Sequence, residues 1–104
     1  MDFTAQLNFK TTAAGGRQSF AMNGYRPHIK FEFDDFCTSG QQIYRGKDRV
    51  FPGDSVLAEI TILATEHFRN KLEKGMPFNF YEVPNIIGNG IIMEIVNSDL
   101  KKYK

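Results

Sequence analysis

What most constrains this chain is a period of two that is repeatedly cut by glycine turns. From Phe3 to Lys10 the residues Phe3, Ala5, Leu7 and Phe9 alternate with Thr4, Gln6, Asn8 and Lys10. Successive side chains of a strand point to opposite faces, so this is the pattern of a half-buried strand. It recurs over 28–33, where Ile29, Phe31 and Phe33 oppose His28, Lys30 and Glu32. It recurs again over 55–63, with Val56, Ala58, Ile60 and Ile62 as the inward set. Gly15-Gly16 ends a loop that starts at Thr11, Asn23-Gly24 follows a short strand at 19–22, and Pro52-Gly53 fits the two corners of a tight turn. Residues 76–83 and 90–96 read as the last two strands, and Gly88-Asn89-Gly90 between them predicts a bulge or a close backbone approach. About six strands at this spacing make a small closed barrel or a sandwich, and the period alone does not choose between them.

One segment departs from the pattern. Phe68 and Leu72 are four apart, Arg69 and Glu73 can pair at the same spacing, and Gly75 can cap a C-terminus. This predicts one short helix or helical turn near 65–74. Residues 41–50 are polar and read as a strand end followed by an exposed loop. Residues 98–104 are expected to be a charged, frayed tail on a domain spanning 1–97.

The chain has 104 residues, which suits one domain, and its hydrophobic fraction of 41% is that of an ordinary globular core. Ten of its aromatic residues are Phe and none is Trp, as expected where flat rings fill the space between sheet faces. A formal net charge of +1 does not favour a polyanion, so nucleic-acid binding needs a local patch. The single cysteine, Cys37, excludes an intramolecular disulfide and a cysteine-based zinc site. Residues 1–20 lack the apolar core of a signal peptide, and no run approaches the roughly 20 apolar residues of a membrane span. A soluble cytoplasmic chain is expected.

No segment matches the phosphate-binding loop of a GTPase, so no nucleotide and no other cofactor is expected. His28 and His67 lack ligand partners at useful spacing, which predicts a solvated strand-face histidine and a solvated helix-surface one. Cys37 reads as a small, partly buried residue. Asp34 and Asp35 point to opposite faces if extended, a poor geometry for shared acid–base work. Arg26 is expected to pair with a carboxylate beside Pro27. Arg17 suits either a phosphate contact or a solvated loop charge. Arg45, Lys47 and Arg49 alternate, so on a strand they would share one face, either a solvated edge or an additional basic surface for phosphate or acid.

Several anchors in order also carry a resemblance. Gly15-Gly16-Arg17, Gly24-Tyr25-Arg26-Pro27, Pro52-Gly53-Asp54 and Gly88-Asn89-Gly90 occur at spacings similar to those of the C-terminal β-barrel domain, the third domain, of the translation elongation factor Tu family. The resemblance covers nearly the whole chain, while the family's GTPase domain has no counterpart in these residues. It implies an all-β, six-stranded antiparallel barrel and a non-enzymatic binding role. In the family this domain helps grip the T stem of aminoacyl-tRNA, and the corresponding positions are Arg17, Gln18, His28, Ser39, Glu82 and Val83. Arg17 and Glu82 keep the family residue, and Ser39 keeps a hydroxyl. Gln18 and His28 stand where the family has histidine and glutamine. Val83, Pro84 and Asn85 replace a glycine, a second glycine and an arginine, so close backbone approach is obstructed and one cation is lost. The segment 64–73 is longer than its counterpart by about four residues. The resemblance thus implies tRNA or another structured RNA as partner, and alternatively a protein partner, as in an immunity-type module that mimics the factor.

Overall fold

A computed structural model describes residues 1–102. Its strands are β1 (Phe3–Phe9), β2 (Ala21–Met22), β3 (His28–Phe31), β4 (Cys37–Tyr44), β5 (Arg49–Val50), β6 (Ser55–Ile62), β7 (Pro77–Glu82) and β8 (Asn85–Ile95). Six of them close into an antiparallel barrel in the order β1-β6-β4-β3-β7-β8, with β8 pairing back onto β1. The two short strands β2 and β5 pair beside it. The barrel, rather than the sandwich, is therefore the fold, and closure leaves no free sheet edge on these six strands. Among the described residues no helix is long and apolar enough to cross a membrane.

Alternation along the strands sends one set of side chains inward. Phe3, Leu7, Ile29, Phe31, Ile60, Phe78, Phe80 and Ile92 are buried together. Phenylalanine rings meet edge-on at the centre, Phe3 against Phe78 at 5.9 Å and Phe9 against Phe80 at 5.0 Å. So many large rings fit because some inward positions carry no side chain. A Cβ on Gly90 would stand 2.4 Å from the Phe78 ring, and one on Gly88 2.4 Å from the Phe80 ring. The close approach expected at these glycines is present. The hairpin turn is not there, however: it lies at Val83–Pro84, joined by a cis peptide bond, and Gly88-Asn89-Gly90 runs inside β8.

Residues 65–71 form successive i→i+3 turns, with Phe68 N bonded to Thr65 O, Arg69 N to Glu66 O and Lys71 N to Phe68 O. This is a helical turn of the tight kind, ended by Asn70 at φ 60° rather than carried on to Gly75. Phe68 and Leu72 are fully buried, so the segment seals one end of the barrel. The sequence after β8 is not frayed as far as Lys102. Ser98–Leu100 is a 3-10 turn capped by Asn97, Leu100 is buried, and Lys102 N bonds to Leu72 O at 2.7 Å. Tyr103 and Lys104, the end of the expected tail, lie outside the described residues.

Candidate functional site

The loop between β1 and β2 is shaped by its glycine pair. Gly15 has φ +98°, and a Cβ on Gly16 would lie 2.3 Å from the Lys10 carbonyl oxygen. The loop folds back on Thr11 and Thr12, and the Thr12 hydroxyl donates to the Arg17 carbonyl at 2.6 Å. This delivers Arg17 to the end of β7. Its Nη1 donates to the Glu82 carboxylate, while Nε and Nη2 donate to the carbonyls of Ser19 and Phe20, each at 3.3 Å. The guanidinium also lies 4.7 Å from the centre of the Tyr25 ring, whose hydroxyl donates to the same Glu82 carboxylate. Arg17 is thus not a bare loop charge: each guanidinium nitrogen donates one bond within its own chain, which leaves two of its five N–H groups without a partner among the described residues.

Burial alone would push the Glu82 carboxyl up, but the Tyr25 hydroxyl and the Arg17 guanidinium outweigh it and hold it below the usual carboxylate range. Burial first, then Glu82, pushes the Tyr25 phenol far above its ordinary value, so it remains a proton donor at every physiological pH. The sign of the linkage follows. A depressed carboxyl contributes stability above its unfolded pKa, about 4.3, and loses it as pH falls through the folded value. Glu82→Gln is therefore expected to lower the denaturant midpoint near neutral pH and to narrow its gap from the parent as pH falls below about 4. An unchanged gap across that range would remove Glu82 from the acid response.

On the outer face beside this triad, His28 is the cross-strand neighbour of Ser39 on β4 and of Tyr81 on β7, and Tyr81 precedes Glu82. His28 is exposed, and Ser39 and Tyr81 are half-buried. Two groups thus form near the end of β7: Arg17, Tyr25 and Glu82 joined by side-chain contacts, and His28, Ser39 and Tyr81 paired across three strands. Gln18 is exposed in the loop next to Arg17. Val83 is 70% exposed at the adjoining hairpin tip. Although His28 and Ser39 are neighbours, no hydrogen bond joins them, and the Glu82 carboxylate is turned to Arg17 and Tyr25. A serine–histidine–acid relay is not assembled.

The second expected basic surface is reorganised. Arg45, Lys47 and Arg49 do not share a strand, because residues 45–48 form a loop between β4 and β5 with Gly46 at φ +79°. Arg45 pairs with Glu59 at 3.3 Å, and Arg49 pairs with Asp48 at 3.5 Å and lies 4.9 Å from the Phe20 ring centre. Arg26, expected to meet a carboxylate, makes no ion pair among the described residues; its neighbour Tyr25 takes that contact instead. Cys37 is exposed rather than partly buried. His67 is not a solvated surface histidine, since it bonds to Asp34 at 2.5 Å and stacks on Phe36.

Two residues of the region, Tyr25 and Tyr81, were not among the expected contacts. Tyr81 was findable from strand parity alone, because it shares the outward face of β7 with Asn79. A polar row also crosses the outside of the barrel: Ser55 Oγ donates to Asn8 at 2.7 Å, and Asn8 Nδ2 donates to Asn89 at 3.0 Å. Among the described residues no three His, Cys, Asp or Glu side chains gather where a metal ion could be held. No protein-family model matches the chain.

Proposed function

We propose that this chain is a non-catalytic binding domain, akin to the third domain of elongation factor Tu, whose β3–β4–β7 face docks against the backbone of a structured RNA helix such as a tRNA stem. One observation carries the reading. His28 and Ser39 are paired across β3 and β4, and His28 faces Tyr81 on β7, the residue before Glu82, which holds Arg17. An A-form helix offers 2′-hydroxyls and phosphates across its shallow minor groove, and proteins read these with polar side chains. His28, Ser39 and Tyr81 supply such groups. Glu82, held by Arg17 and Tyr25, is a pre-oriented acceptor for a 2′-hydroxyl.

The same geometry limits the electrostatic share. With Arg17 already engaged, about one or two phosphate contacts remain, so affinity for tRNA should fall only about 3- to 12-fold between about 50 and about 200 mM salt. Fluorescence anisotropy with labelled tRNA measures this. The doubly substituted His28→Ala, Ser39→Ala chain is expected to lose most binding, and Arg45→Ala to keep it. Absence of tRNA binding at about 50 mM salt would reject the reading.

A further inference from the structure

The sealed end of the barrel carries two adjoining clefts that take no part in the RNA face. One, of about 590 Å³, is lined by Phe33, Asp34, His67, Lys71, Met76 and Lys102, with Asn70. The other, of about 330 Å³, lies across the same ridge and shares Phe33 and Met76 with the first. Phe33 is 47% exposed yet held from below, stacked on Phe31 at 5.8 Å and edge-on to Phe68 at 6.3 Å. Phe36 is 42% exposed and lies on the His67 ring at 4.0 Å. Rings fixed in this way lose little freedom when a partner covers them, which is the character of binding hot spots.

Charge selects the partner. Asp34 bonds to His67 and accepts the Phe36 amide at 2.9 Å, so its carboxylate is already engaged. Lys71 and Lys102 line the same cleft and make no salt bridge among the described residues. In the neighbouring cleft Lys74 is offset by Glu32 and Glu73. A negative group is therefore favoured on one side of the ridge only. The flanking carboxylates make the region a poor track for an extended phosphate backbone.

We propose that this end of the barrel docks a segment of a partner protein, with a bulky apolar side chain seated over Phe33 and Met76 and an acidic residue directed at Lys71 and Lys102. This site is separate from the RNA face and stands or falls without it. The test is selection of a random peptide library on the intact chain, followed by anisotropy with the enriched peptides. The expected peptides share an aromatic or large aliphatic residue close to Asp or Glu. Phe33→Ser should weaken them about tenfold or more, and so should Lys71→Glu with Lys102→Glu, two exposed substitutions that leave the core untouched. Peptides that bind these variants as well as the parent, or no enrichment, would overturn the proposal.

Discussion

Phe68→Ala is expected to lower the free energy of unfolding by about 3–5 kcal/mol, a large share of the roughly 5–15 kcal/mol that holds a domain of this kind together. Phe68 is fully buried, although it sits in a segment of tight turns outside the strands. Its ring meets Phe31 at 5.2 Å, Phe36 at 6.0 Å and Phe33 at 6.3 Å. Removing it opens the end of the barrel and withdraws support from the ridge beside the clefts. The melting temperature should fall by roughly 15 °C or more. Leu63→Ala is the natural comparison, since Leu63 is 76% exposed and should change stability by no more than about 0.5 kcal/mol. If the two variants melt together, the 63–76 segment does not seal the barrel.

Gly88→Ala is the second large effect, and it acts by overfilling. The added Cβ would stand 2.4 Å from the Asn8 carbonyl oxygen and 2.4 Å from the tip of the Phe80 ring. The ring can shift only within a packed core, and the carbonyl belongs to β1, paired with β8 along its length. The expected cost is about 1–3 kcal/mol, toward the upper end because backbone has to move. Gly46→Ala separates this cause from glycine's other role. Gly46 has φ +79° with nothing within 4 Å of the added Cβ, so only its backbone conformation is penalised, by about 1–2 kcal/mol. Thermal melts of both variants measure the difference. A Gly88→Ala chain as stable as the parent would mean that β1 and β8 are not in the close register described.

These two residues also mark how far the sequence could be read. Period-two alternation located β1, β3 and β6 to within a residue or two, because each keeps one face in the core and one in solvent. It failed at β8. That strand puts glycine inward at 88 and 90, where apolar residues would otherwise signal it, so its first half, 85–89, was not read as strand. The true turn, Val83–Pro84, carries no glycine. The 65–74 spacing of Phe68 and Leu72 identified two buried anchors and a helical turn, which the left-handed Asn70 ends before Gly75.

At the candidate site, the resemblance named residues, and the way their charges are satisfied was not legible in the sequence. A list of charged residues does not reveal that Arg17 spends its guanidinium on Glu82, or that Arg45 and Arg49 are matched by Glu59 and Asp48. Those pairings depend on which loops meet, a tertiary property. They leave the region with mainly hydroxyl, imidazole and carboxylate groups. The aromatic ridge was hidden for the same reason, since Phe33, Phe36 and His67 come together only when 63–76 folds over the barrel end.

The most direct measurement is an amide chemical-shift footprint of the isotope-labelled chain titrated with an RNA stem of tRNA type. The RNA reading predicts that the largest shifts fall on His28, Ser39, Tyr81 and Glu82, with the ridge at Phe33 and Phe36 unmoved. Shifts confined to that ridge, or no shifts at about 50 mM salt where phosphate contacts are strong, would contradict it.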